Sequence, residues 1–309
     1  MDNILQCFDD LKKTEVDEKI ISAFSDNDQF LEVTLNLFRE LNAHIKCLGL
    51  LVPEKTGRWE IKQAVLGGQI IRLYKLNCAI YEQALENRLE ICYILSRLVY
   101  ETVVNLRFLI KKPDLCNNFI AFSLKPEKKL RDNIIKNIKN NKGEIKPIEK
   151  RMLDSIKFDF DCAGISVQEY TNQLSDKWVY KDINKKQKWT FSNKLEEIGI
   201  NQDAYEAIFG LPSHSVHGDW QDSLRFNLDI YDGNLFGPNF DWHKPAVQLF
   251  EGLIHVLSDG CNEYLKWILP SNSIEDGYGK IEEIRDKIKL ICKHHERFIS
   301  QPHENSQLN

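Results

Sequence analysis

The chain of 309 residues has no Cys-x-x-Cys pair among its eight cysteines, Cys7, Cys47, Cys78, Cys92, Cys116, Cys162, Cys261 and Cys292. They lie far apart, mostly inside apolar helical patterns, and read as buried free thiols rather than a disulfide framework. No apolar run is long and clean enough to span a bilayer, because the most apolar stretch, residues 91–110, carries Arg97, Glu101 and Arg107. The first ten residues are acidic where an export signal needs positive charge and an apolar run. A cytoplasmic location without membrane association is the expectation. No phosphate loop, dinucleotide fingerprint, Gly-x-Ser-x-Gly elbow or His-Glu-x-x-His pair occurs, so the common cofactor and hydrolase classes lose support. No cofactor and no metal are expected. A net charge of -5 gives no globally nucleic-acid-binding surface.

With 42% hydrophobic and 28% charged residues the composition is ordinary for a globular protein, and only the stretch from about Gln301 is too polar to fold. No internal repeat and no Ser/Gly linker divides the chain. One helical domain over residues 1–300 with a disordered tail at 301–309 follows. Asp26 or Asn27 caps a helix to about Leu51, with Phe30, Leu31, Leu35, Phe38, Leu41, Ile45 and Leu48 at helical spacing. The pattern is helical again from Trp59 through a flexible Gly67-Gly68 pair. It continues as a helix from about Leu85 to Lys112, apolar nearly all round, central in a bundle and stopped by Pro113. Ser192 caps a short helix ending at Gly199, another runs from Asn201 towards Phe209, and two long helices, Asp241 to Ile268 and Ile274 to Ile299, close the chain. Leu228 to Phe236 alternates around Asp232-Gly233 and carries the one strand signal. The fold class is therefore all-α, a single multi-helix bundle with one small β-hairpin near 228–236.

The near-neutral balance hides basic segments. Residues 125–151 hold ten Lys or Arg against four acids on an amphipathic pattern. The stretch 177–194 mixes Lys181, Lys185, Lys186 and Lys188 with Trp178, Tyr180, Trp189 and Phe191, a composition that suits phosphate contact plus base stacking. The alternative is a loop whose aromatics anchor it to the core.

Arg97 and Glu101 are four apart on the apolar helix and so share a face. A charge there is costly unless paired, so the two satisfy each other or reach across to another element. Downstream, Leu211-Pro212-Ser213-His214-Ser215-Val216-His217-Gly218-Asp219-Trp220 gathers two histidines, two serines and an aspartate. His214 and His217 lie on one side of a helix. They could bind a transition metal given a third ligand, serve with an Arg and a carboxylate as metal-free general acid or base, or bond Glu101 and tie two helices together. Elsewhere, His255 reads as core and His294-His295 as solvated, and the Arg39 to His44 spacing is a chance match.

The run Arg97-Leu98-Val99-Tyr100-Glu101, followed by Ser213-His214-Ser215-Val216-His217-Gly218, resembles a bacterial family catalogued only as a domain of unknown function, marked by an Arg-x-x-x-Glu helix and a later Ser-x-x-x-His-Gly segment. The resemblance covers about residues 59–269 and implies an all-helical fold without a settled activity. The pattern is also loosely similar to HEPN domains, helical bundles that often serve as RNA-cutting toxins or anti-phage effectors. It departs from them in placing Arg97 and His217 on separate helices.

The leading reading is a metal-independent endoribonuclease or defence-like effector. Arg97, Glu101, His214, His217 and Asp219 converge as catalytic residues, and Lys181, Lys185, Lys186, Lys188 and Trp189 guide RNA. The competing reading is a non-catalytic interaction module, bound to a protein partner, in which Arg, Glu and His form a buried structural network. Such apolar helices also leave a homodimer open.

Overall fold

In a computed structural model the protein is described at residues 8, 10–51, 57–168, 170, 179–182, 185–200, 210, 212–232, 235–269 and 275–301, with 179–182 and 185–188 described as backbone only. Five long helices build the core: α2 (Asn27–Gly49), α3 (Ile61–Leu85), α4 (Leu89–Lys111), α10 (Val247–Ile268) and α11 (Glu275–Ile299). A short α1 (Glu18–Ser22) precedes them. Between α4 and α10 lie α5 (Cys116–Ser123), α6 (Lys125–Asn140), α7 (Pro147–Cys162), α8 (Phe191–Glu197) and a short α9 over residues 212–217.

The ends follow local chemistry. Asp26 caps α2, its carboxylate accepting from Asp28 N, and Gln29 reaches back to complete a capping box, a contribution of about 1 kcal/mol. Pro113 stops α4 and opens a single 3-10 turn. Thr190, not Ser192, caps α8, because its hydroxyl accepts from Asn193 N while Ser192 is already inside the helix. The closing pair begins at Val247, six residues later than the apolar pattern suggested, since Pro245 disfavours a helical residue before it.

α4 lies between α3 and α10, and α2 packs on α3, α10 and α11. Phe38 of α2 meets Phe250 of α10 edge-on at 5.2 Å between ring centroids. Val99, Val103, Leu106 and Phe108 of α4 are wholly buried against Leu253, Ile254 and Leu257 of α10 and Ile70, Leu73 and Ile80 of α3, all in one continuous core. A second, smaller core under the basic helix α6 and its neighbour α7 joins Ala121, Leu124, Ile134, Ile156, Phe160 and Tyr170, and the Tyr170 hydroxyl donates to the Ala121 carbonyl at 2.8 Å.

The expected hairpin is present, with β3 (Leu228–Tyr231) antiparallel to β4 (Leu235–Pro238). A further hairpin, β1 (Val179–Asp182) with β2 (Lys185–Lys188), lies in the basic stretch, where alternation was too weak to signal strand. The helix expected from Asn201 towards Phe209, the tail beyond Gln301 and Cys7 lie outside the described residues. Among the described cysteines all are free and five are buried, but Cys162, at the end of α7, is exposed. His294 and His295, read as solvated, are buried: α1 and the start of α2 cover them, with Glu18 and Asn27 accepting at 3.1 and 2.7 Å. His255 is only half-buried and accepts from Arg285 Nε. His44 is buried against Phe8, and burial lowers its pKa to about 4.

The Gly67-Gly68 pair does not break α3. A Cβ at Gly67 would sit 2.6 Å from the Trp59 indole, whose Nε1 donates to the Leu51 carbonyl at 2.8 Å, whereas one at Gly68 meets nothing. Gly67→Ala therefore destabilises the protein by about 1–3 kcal/mol. Gly68→Ala stabilises it by up to about 1 kcal/mol. Chemical denaturation of the two variants checks this, and shifts of the same sign would refute the packing.

Candidate functional site

One face of α4 carries a row of polar groups, while Arg107 on another face pairs with Asp259 and Glu263 of α10. Arg97, Glu101 and Asn105 recur every four residues and so form a stripe. Arg97 Nε donates to Glu101 Oε1 at 3.1 Å, and Arg97 Nη1 donates to Ser213 Oγ at 2.8 Å, linking positions 116 residues apart. Next along the stripe, Lys194 of α8 donates to Asn105 Oδ1 at 2.7 Å and lies 5.9 Å from the centroid of the Phe108 ring. Burial lowers the Lys194 pKa from its usual value to about 8, and the Glu101 carboxylate pulls it part of the way back. The stripe thus grips both segments that follow the basic stretch, α8 through Lys194 and α9 through Ser213.

α9 ends at Gly218, whose N–H donates to the His214 carbonyl at 2.9 Å. Its φ of +58° is a left-handed conformation that glycine adopts without strain. This turn brings Asp219 back beside the helix it has just left, so that Asp219 Oδ2 meets His214 Nδ1. Asp219 Oδ1 also caps the following turn, accepting from Gln221 N at 3.0 Å and Asp222 N at 3.2 Å. The bond to His214 first, then the backbone N–H of Asp222, holds the Asp219 carboxyl below the usual range. With Nδ1 engaged, the Nε2 of His214 is the ring atom left for other chemistry.

The five sequence-derived candidates therefore fall into two pairs and a single. Arg97 joins Glu101, His214 joins Asp219, and His217 is exposed with no bond to either Arg97 or Glu101. The tie between the helices is Ser213, not an imidazole. The site is open: the side chains of Glu101, His214 and Asp219 are 40%, 34% and 41% exposed, against 22% for Arg97. Arg97 has five N–H donors and commits Nε and Nη1, which leaves Nη2 for a ligand.

Trp189 packs its ring edge-on to buried Phe108 at 4.6 Å between centroids, so it anchors the end of the β1–β2 hairpin to α4. Lys181, Lys185, Lys186 and Lys188 lie on that hairpin, Lys181 paired with Lys186 and Lys185 with Asp182. Sequence reasoning missed Asn105, which extending the four-residue spacing from Arg97 and Glu101 would have found. It also missed Lys194, which nothing in the sequence sets apart from its lysine-rich neighbours. No group of three or more His, Cys, Asp or Glu among the described residues could hold a metal ion, and no described helix is long and apolar enough to cross a membrane.

Residues 63–234, more than half of the chain, match a family of unknown function (DUF5677). The chain belongs to this family. The DUF5677 match begins in α3 and ends at the β3–β4 hairpin, so it contains every residue of the site. It excludes α2, α10 and α11, which complete the core, and is narrower than the expected 59–269. No curated protein and no solved structure matches the chain.

Lys194 gives the site a measurable titration. Between about pH 8 and the ordinary lysine range the unfolded chain holds a proton that folded Lys194 has lost, so this residue makes stability rise with pH in that window. The Lys194 side-chain NMR signal should titrate near pH 8, and Glu101→Gln should move the midpoint lower by removing the upward pull. A midpoint that rises or stays in place would show that Glu101 does not face Lys194.

Proposed function

We propose that the open face of α4 between α8 and α9 binds RNA and cleaves it without a metal ion. The observation that carries this reading is the His214–Asp219 pair, set in the same helix as the Ser213 that Arg97 holds. Asp219 fixes His214 through Nδ1, and Nε2 removes the proton from a ribose 2′-hydroxyl. The 2′-oxygen then bonds to phosphorus and the bond to the 5′-oxygen breaks. His217, one turn on and solvent-facing, returns a proton to that leaving oxygen, giving a 2′,3′-cyclic phosphate and a 5′-hydroxyl. Arg97 and protonated Lys194 stabilise the charge on the phosphorane oxygens, and Glu101 positions both.

Two further features support the reading. Arg97 retains uncommitted donors suited to a phosphate, and the lysine-bearing β1–β2 hairpin is anchored at Phe108, on the stripe side of α4. The competing module needs a sealed Arg-Glu-His cluster, whereas here Glu101 and His214 are open to solvent and, among the described residues, no histidine bonds Glu101.

Purified protein incubated with total RNA in excess chelator should yield fragments ending in cyclic phosphate. His214→Ala should slow cleavage by about 10²–10⁴-fold. Cleavage that stops in chelator, or that His214→Ala leaves untouched, would overturn the proposal, as would intact RNA with the wild type.

A further inference from the structure

The β3–β4 hairpin is buried at its root and apolar at its tip. Phe226, just before β3, is 9% exposed and packs on Tyr93 of α4 and on His243, and the His243 carbonyl accepts from Leu89 N at 2.9 Å. Beyond that root, Trp220, Ile230, Tyr231, Leu235, Phe236 and Phe240 are between 44% and 88% exposed. Trp220 meets Phe236 edge-on at 5.5 Å between centroids, and the strands pair Ile230 with Phe236 and Tyr231 with Leu235. Ile230 and Tyr231, being successive strand residues, lie on opposite faces, so the hairpin offers apolar groups to solvent on both sides.

At about 150–250 Å² per aromatic side chain, these six together with Trp242 expose on the order of 800 Å². That area is divided between the two faces of the hairpin, with Trp220, Ile230 and Phe236 on one and Tyr231 and Leu235 on the other. A specific interface takes about 800 Å² from each partner.

The backbone narrows the occupant. Asn239 N donates to the Asn227 carbonyl at 3.0 Å, which sets the alternation so that residues 227, 229 and 231 turn inward to β4. Leu228 and Ile230 therefore direct their N–H and C=O groups to the outer edge. On β4 the outward positions are Phe236 and Pro238, and Pro238 has no N–H, so that edge is partly blunted, whereas β3 offers both of its outward N–H groups. An antiparallel edge is self-complementary about a two-fold axis. An axis through Ile230 pairs Ile230 with its own copy and Asp229 with Tyr231, and keeps the two Asp229 carboxylates from facing each other. The rim carries Arg225 as well as Asp232 and Asp241, all exposed. Both signs on one rim suit a second copy of this surface better than an anionic nucleic acid or lipid.

We propose that the chain forms a two-fold dimer through the open edge of β3 and the apolar residues of the hairpin. This does not depend on the ribonuclease reading. Sedimentation equilibrium of the full chain at micromolar concentration should give the dimer mass. Ile230→Asp should weaken the dimer on the order of 100-fold, while Phe158→Asp, a similarly exposed site on α7, should leave it intact. Circular dichroism and melting of the Ile230→Asp monomer should match a wild-type sample diluted to monomer. A wild type that stays monomeric, a dimer that Ile230→Asp does not weaken, or a variant that loses its helices would each overturn the proposal.

Discussion

The hydrogen bond from Arg97 to Ser213 holds together parts of the chain that the hydrophobic core alone would leave apart. α4 is buried on most sides, and a guanidinium on such a helix is tolerated only if its donors are met. Glu101 meets one locally and Ser213 meets another from α9. The same requirement, applied one turn further, brings Lys194 onto Asn105. Polar contacts thereby dock α9 on the central helix and add to the packing of Trp189, Phe191 and Ile198 that seats α8 on the core. Lys111 and Lys112 add to this at the far end by pairing with Glu197 of α8.

That arrangement places the polar stripe on the rim of the core instead of inside it. The aliphatic residues of α4 fix the backbone, and the stripe inherits that rigidity, which a site needs if charges are to be held ready for a substrate. The geometry of α9 rests on Ser213 and on the Gly218 turn at its end, where Asp219 both caps the next turn and engages His214. A positively charged arginine and a lysine whose proton is loosely held lie on one side, and an oriented imidazole follows Ser213 in the chain.

Much of this was legible in the sequence wherever apolar periodicity was strong. α2, α4 and the closing helices could be bounded because their buried residues repeat over several turns, and Arg97 and Glu101 stood out as charges where few belong. The β3–β4 hairpin showed through its alternation. Legibility failed where a partner comes from far along the chain. Ser213, not His217, is the residue that Arg97 reaches, and no spacing rule distinguishes that serine from its neighbours. The His214–Asp219 pair spans five residues, a helical spacing only if the helix continued; the left-handed Gly218 ends it and folds the carboxylate back. Lys194 closes a run of lysines, and its burial depends on α4. His294 and His295 looked solvated because the segment that covers them, Glu18 to Asn27, lies some 270 residues away.

Hydrogen exchange across α9 tests the central role of Arg97 most directly. Replacing Arg97 by alanine should raise the exchange of the Gly218 amide and its neighbours in residues 212–218 to that of an open loop, while amides of α3, α10 and α11 keep their protection. Protection over residues 212–218 that survives the substitution would contradict the account, because α9 would then be held by something other than the arginine of α4.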